Sequence, residues 1–277
     1  MSDARTTLAR PDLADERLEG LVRADRYGEA HAQTCRAPFT AVRRAPEAAS
    51  EQQDQLLFGE RFRVLETAGD WAWGQADRDG YVGFVRREDL AAPGEPPTHR
   101  VAARLSIGFS APDLKSAPVQ SYPMSALLTV EAAENGFLRA GEAGWLFEAH
   151  LRPVGDFADD PAGIAEAFIG APYLWGGRGG LGLDCSGLVQ QALHACGRAC
   201  PRDTDQQLAA FAAEAPRTAL ARGDLVFWKG HVAMMLDAER IIHANAHHMA
   251  TAVEFLETAV KRIVGAGSGE PIGFRRP

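Results

Sequence analysis

The stretch Trp175-Gly176-Gly177-Arg178-Gly179-Gly180-Leu181-Gly182-Leu183-Asp184-Cys185-Ser186-Gly187-Leu188 decides how the rest of the chain is read. A flexible glycine-rich run delivers Cys185 to the start of an amphipathic helix, because Leu188, Val189, Ala192, Leu193 and Cys196 recur at helical spacing on one face. Asp184 has the residue type and position of an N-cap. A thiol at a helix N-terminus feels the positive end of the macrodipole, which favours the thiolate and suits Cys185 to nucleophilic attack. A free cysteine is more commonly a buried structural residue. The nucleophile reading therefore needs a base elsewhere in the chain.

The downstream sequence supplies one. After the turn-like Arg222-Gly223-Asp224 come Leu225-Val226-Phe227-Trp228, then His231-Val232-Ala233-Met234-Met235-Leu236, then Ile241-Ile242-His243-Ala244-Asn245. These runs predict three short, mostly buried antiparallel strands joined by tight turns. Side chains alternate faces along a strand, and directly opposed residues share a face. His231 and His243 are both odd-numbered, so they share a face only across an odd-residue loop through Asp237-Ala238-Glu239. On that register His231 addresses the thiol, while His243 hydrogen-bonds the far nitrogen of His231 and fixes its tautomer. Either histidine alone is more simply a satisfied core residue. Together, after a helix-start cysteine, they favour a Cys185/His231/His243 triad.

Upstream, a different pattern holds. Arg61-Phe62-Arg63-Val64-Leu65-Glu66, Trp71-Ala72-Trp73-Gly74 and Tyr81-Val82-Gly83-Phe84-Val85 are punctuated by Gly69-Asp70 and Asp79-Gly80. Leu128-Thr129-Val130, Phe137-Leu138-Arg139-Ala140 and Gly144-Trp145-Leu146-Phe147 repeat the layout around Asn135-Gly136. An internal repeat of short strands with such turns predicts two small β-barrels. The run Pro93-Gly94-Glu95-Pro96-Pro97 separates them. The expected organisation is an arm over residues 1–24 that is polar and helical or loosely ordered, barrels over 25–92 and 98–154, and an α+β catalytic domain over 159–277.

The chain has 277 residues, with 37 acidic against 29 basic side chains and a net charge of −8. That length suits two or three domains, and the acidic excess argues against a nucleic-acid partner or a polybasic membrane patch. No segment has the length of a membrane-inserted helix. The first residues lack an apolar signal-peptide core, and Cys35, Cys185, Cys196 and Cys200 form no convincing disulfide framework, so a cytoplasmic setting is expected. Cys196 and Cys200 lack a second ligand pair for zinc, and His247-His248 is too little for a metal. Neither metal nor organic cofactor is expected.

Six segments resemble, in order and spacing, the motifs of the NlpC/p60 cysteine peptidases. They are Ala171-Pro172-Tyr173-Leu174-Trp175-Gly176-Gly177, Leu183-Asp184-Cys185-Ser186-Gly187-Leu188-Val189, Pro201-Arg202-Asp203-Thr204-Asp205-Gln206-Gln207, Gly223-Asp224-Leu225-Val226-Phe227, Gly230-His231-Val232 and Ile242-His243-Ala244. The resemblance implies a papain-like core, hydrolysis of peptidoglycan peptides, Cys185 as nucleophile, His231 as base and His243 as third residue, with Tyr173 near the thiol and the oxyanion. The upstream repeats resemble bacterial SH3-like domains. The whole arrangement resembles the γ-D-glutamyl-L-diamino-acid endopeptidases, or dipeptidyl-peptidase VI group, which act on murein peptides with a free N-terminal L-alanine (L-Ala-γ-D-Glu-diamino acid). By that resemblance Asp184, Ser186, Trp175, Thr204, Glu60 and Tyr81 line the substrate pocket. Each has a plainer alternative. Asp184 caps its helix, Thr204 with Gln207 reads as a capping box, Trp175 suits core packing, and Glu60 and Tyr81 suit ordinary surface and barrel positions. Arg178 reads as a solvated loop charge. An exported endopeptidase or amidase acting on intact wall, a papain-like acyltransferase and a non-catalytic peptide-binding protein remain alternatives.

Overall fold

The computed structural model describes residues 3–179 and 181–277; Met1 and Ser2 of the expected arm and Gly180 of the glycine-rich run lie outside them. The chain forms two compact units, Met1–Val154 and Gly155–Pro277.

In the first unit, seven antiparallel strands form one sheet in the order Gln52–Leu57, Phe39–Arg43, Val82–Arg86, Trp71–Ala76, Arg61–Ala68, His31–Cys35, Leu90–Ala91. Its inward residues, among them Val42, Leu56, Phe62, Val64, Tyr81 and Val85, make one apolar core. The predicted Gly69-Asp70 turn joins Ala68 to its partner Trp71, with Gly69 at φ +57°. The sheet is open: Gln52–Leu57 and the two-residue Leu90–Ala91 are its edges, and no pairing between them closes a barrel among the described residues. Residues 3–24 do not form a polar helix or a loose arm. Leu8 and Leu13 are buried against Trp73, and Ala14–Asp15 pairs in parallel with Tyr27–Gly28. The two leucines give this segment an apolar anchor that its many charges mask in the sequence.

Residues 98–154 hold a three-stranded sheet, ordered Leu127–Leu128, His99–Val101, Leu151–Pro153, and a five-stranded one, ordered Pro118–Pro123, Leu105–Phe109, Trp145–Phe147, Phe137–Arg139, Ala132–Glu134. Asn135 and Gly136 turn the last hairpin, both at positive φ (+50° and +75°), the geometry of a type I′ turn. Val101, Tyr122, Leu128, Leu138, Leu146 and Leu151 share a separate core.

The second unit begins with helix α1, Pro161–Glu166, capped by Asp160 with proline at its first turn. Helix α2, Cys185–Ala195, and helix α3, Thr204–Ala210, follow. Five antiparallel strands then order as Ala250–Phe255, Arg240–Asn245, His231–Met235, Leu225–Trp228, Gly273–Arg275. The two edge strands are additions to the three that the apolar runs announce. Helix α4, Leu256–Gly265, packs Leu256, Ala259, Val260 and Ile263 against Val226, Trp228, Ala233, Met235 and Ile241. The α2 helix is buried on every side save His194, not on one face. Two of its interior side chains reach across to neighbouring backbone: Gln190 donates to the Cys200 carbonyl at 3.2 Å and Gln191 to the Arg178 carbonyl at 2.6 Å.

Candidate active site

At Gly177 and Gly182 the glycine-rich run is closely packed, as is Gly187 behind it. A Cβ on Gly187, in the first turn of α2, would stand 2.2 Å from the Gly177 carbonyl oxygen, and one on Gly177 would stand 2.6 Å from that of Gly182. Only glycine lets this loop lie against the helix start. Asp184 caps α2, its Oδ1 accepting from Gly187 N–H at 2.7 Å and its Oδ2 from Gly176 N–H at 2.9 Å. One carboxylate thus ties loop and helix together and sets the position of Cys185.

The charge of Asp184 is matched by Arg202, which the sequence reading passed over. The guanidinium is 1% exposed and bidentate, at 3.0 Å to Oδ1 and 2.6 Å to Oδ2, with a further bond of 2.9 Å to Ser186 Oγ. Ser186 Oγ itself donates to Asp184 Oδ1 at 3.2 Å. Both Asp184 oxygens are therefore engaged within the fold, and a substrate ammonium would have to compete with an arginine. A buried carboxylate one residue before the nucleophile is the signal that should have prompted a search for a cationic partner. Arg178, far from being a solvated loop charge, is fully buried.

Cys185 is buried, and the backbone N–H groups of Val232 and Ser186 are directed at its thiol. Burial, reinforced by the Asp184 charge, pushes this thiol up from 9.0 to about 12. That amounts to about 4 kcal/mol against ionisation, whereas a helix terminus contributes only ~0.3–2 kcal/mol in favour of it. The helix terminus favours the thiolate, but burial opposes it, and the net direction at Cys185 is toward the neutral thiol.

On the sheet, Met234 opposes Ile242, Met235 opposes Ile241, and Leu236 N–H donates to the Arg240 carbonyl at 2.7 Å. That register leaves a three-residue loop, residues 237–239, and places the two histidines on one face. Nε2 of His231 lies 2.8 Å from Nδ1 of His243. The other side of His243, Nε2, lies 2.7 Å from Oε1 of Glu254, and Arg262 of α4 is paired with the same carboxylate oxygen. Burial, with the neighbouring His243 adding to it, pushes His231 down from 6.5 to about 3, so its resting form is the neutral imidazole. Burial also lowers His243, partly offset by Glu254.

The remaining residues separate into two groups. Burial raises the Tyr173 hydroxyl above the ordinary range and keeps it protonated, with the nearby Cys185, once ionised, and the Asp184 carboxylate adding to the effect. Its neighbour Trp175 is 58% exposed, which rules out core packing. Thr204 is the first residue of α3, but the capping box lies one position earlier than expected. Asp203 is the N-cap and Gln206 its reciprocal partner, with Asp203 N–H donating to Gln206 Oε1 at 3.3 Å. Gln207 instead turns inward and donates to the carbonyls of Ser186 at 3.0 Å and Pro201 at 2.9 Å. Glu60 and Tyr81 belong to the first unit and are buried there. The Glu60 carboxylate accepts from Leu57 N–H at 3.0 Å and is paired with Arg78. Among the described residues, His243, His248 and Glu254 bring possible metal-ligand atoms within 4.8 Å of one another. Nδ1 of His248 is already bonded to Asn245 Oδ1 at 2.9 Å, and Arg262 would repel a cation at Glu254.

Residues 170–266 match the NlpC/P60 family, and residues 42–90 match the bacterial dipeptidyl-peptidase Sh3 domain. Residues 170–266 form an NlpC/P60 domain. Among curated relatives, a γ-D-glutamyl-L-lysine dipeptidyl-peptidase of Bacillus subtilis (strain 168) is 28% identical over 219 residues, covering 69% of this chain and 72% of the relative. Dipeptidyl-peptidase 6 of Lysinibacillus sphaericus is 25% identical over 224 residues, covering 72% and 82%. The crystal structure of an NlpC/P60 family protein from Bacillus cereus ATCC 10987 superposes with a TM-score of 0.75 at 20% identity, covering 89% of this chain and 99% of that one, which is a likeness of fold. Within the NlpC/P60 domain, Cys185 opens α2, and His231 and His243 sit on adjacent strands of the sheet.

Proposed function

We propose that the protein is a peptidoglycan-peptide hydrolase of the cysteine type, cleaving the γ-D-glutamyl–diamino acid bond of murein peptides with a free N-terminal L-alanine. The observation that carries the reading is the His231–His243 pair at 2.8 Å, with Val232, the residue after His231, presenting its N–H to the Cys185 thiol. The matches at residues 42–90 and 170–266, and relatives named dipeptidyl-peptidases, support the substrate class. Residues 98–154 are read as a second SH3-like module, on the strength of their hairpin layout.

Both partners rest neutral, so the thiol proton passes to His231 as the Cys185 sulfur bonds to the γ-glutamyl carbonyl carbon. The Cys185 N–H and the protonated Tyr173 hydroxyl are the donors assigned to the oxyanion. Collapse of the tetrahedral species breaks the C–N bond, and His231 returns its proton to the departing amine. Water then cleaves the thioester with His231 as base. Ser186, Trp175 and Thr204 are assigned to the substrate pocket. The ammonium-binding role of Asp184 and Glu60 requires each to accept the substrate beside an arginine already paired to it.

The test is to incubate the protein with L-Ala-γ-D-Glu-meso-diaminopimelate, free and N-acetylated, and to identify products by mass spectrometry. Release of diaminopimelate from the free-amine peptide alone is the expected result. Equal cleavage of both peptides would overturn the requirement for a free N-terminus and favour an endopeptidase of intact wall.

A further inference from the structure

A chain of four side chains runs from the candidate base into α4: His231, His243, Glu254 and Arg262. Glu254 opposes Ile241 in the register of its strand, so it stands diagonal to His243 on the same face, within reach of a long side chain. Its Oε1 is 2.7 Å from His243 Nε2, and the Arg262 guanidinium holds the same carboxylate oxygen. The other ionisable group beside His243 is His248, which is tied to Asn245 in the following turn.

The direction of every proton in this chain follows from its far end. A carboxylate only accepts hydrogen bonds. His243 must therefore carry its proton on Nε2 and present a lone pair at Nδ1. His231, 2.8 Å from that Nδ1, must then donate through its own Nε2. The nitrogen left with a lone pair is Nδ1 of His231. Resting on the reading of His231 as the base for Cys185, we infer that Glu254 is a positioning residue. Its carboxylate, steadied by Arg262, fixes the tautomers of both imidazoles so that Nδ1 of His231 is the basic nitrogen. When His231 takes the thiol proton at Nδ1, it holds protons on both nitrogens. The positive charge that forms is then linked through His243 to the negative charge of Glu254. No proton needs to leave His243 or reach the carboxylate.

The acid–base residue itself contributes roughly 10²–10⁴-fold to such reactions. A group acting through a second imidazole should contribute less. Glu254→Gln, which keeps the shape and can place a donor or an acceptor against His243, is expected to lower kcat on L-Ala-γ-D-Glu-meso-diaminopimelate by ~10–100-fold, with KM within about twofold. Glu254→Asp is expected to recover part of the loss. Histidine side-chain ¹⁵N NMR of the wild type reads the tautomers without any variant having to fold. His231 and His243 should both carry their proton on Nε2 near neutral pH, and His243 should become a mixture in Glu254→Gln. A merely structural role would leave the tautomer signature unchanged in a folded variant. A wild-type His243 protonated on Nδ1, or Glu254→Gln with unchanged kcat, overturns the inference. Cys185→Ala in the same assay separates the two levels. If it is inactive while Glu254→Gln is unimpaired, only the role of Glu254 falls; if it remains active, the triad reading falls and the role of Glu254 with it.

Discussion

Arg202→Met isolates the electrostatic support beneath the nucleophile. The substitution removes a guanidinium that is 1% exposed and makes two bonds to Asp184 and one to Ser186, while keeping most of the apolar stem. Breaking one partner out of a buried pair costs ~3–5 kcal/mol, because the other charge is left uncompensated. Asp184 keeps its bonds from Gly176, Gly187 and Ser186, which places the expected loss near the lower end, about 3 kcal/mol. For a unit of this size that lowers the melting temperature by on the order of 10 °C. The double variant Asp184→Asn/Arg202→Met removes both charges while asparagine still caps α2, so it should be more stable than Arg202→Met alone. Urea unfolding followed by circular dichroism measures all three proteins. A loss below about 1 kcal/mol for Arg202→Met, or a double variant no more stable than Arg202→Met, would refute the argument that Arg202 neutralises Asp184.

Two further outcomes follow from the site. Cys185→Ala should reduce hydrolysis by several orders of magnitude with the fold intact, whereas Cys196→Ser, at the far end of α2, should retain nearly full activity; steady-state assays with mass-spectrometric product detection decide between them. Acid should also destabilise the second unit well before its carboxylates titrate. His231 stays neutral in the fold down to about 3 but takes up a proton at 6.5 when unfolded, so its contribution is complete above 6.5 and declines as pH falls toward 3. The slope is about 1.4 kcal/mol per pH unit for one such histidine. Urea midpoints at pH 7.5 and 5.5, flatter in His231→Asn than in the wild type, provide the measurement; a wild-type profile flat across that interval contradicts it.

Local chemistry that depends on period and spacing was legible in the chain. The cap at Asp184, the helix from Cys185, the Asn135-Gly136 turn and the common face of His231 and His243 rest on short-range rules, and the residues carry those rules on their surface. What escaped depends on partners distant in sequence or on the sum of opposing terms. Arg202 lies seventeen positions beyond Cys185, in a motif segment where only Thr204 was given a role. Arg178 looks like any loop arginine until α2 is seen to be buried all round. The thiol at Cys185 has a helix dipole in its favour, but the depth of the site outweighs it. Glu254 sits on a half-exposed edge strand, Ala250–Phe255, whose weak alternation hid it from view. The open sheet of residues 31–91 and the packed segment before it likewise follow from edge pairing and from two leucines amid charges, neither of which composition reports.

The protonated state of Cys185 bears on the chemical lifetime of the molecule. Peroxides and alkylating agents attack thiolates, and their rates follow the fraction of sulfur that is ionised. A thiol held near 12 offers little of that form at neutral pH. On the proposed mechanism, proton loss from this sulfur would accompany its bonding to a bound carbonyl. Slow reaction with peroxides and alkylating agents is therefore the expected consequence of the depth at which α2 begins.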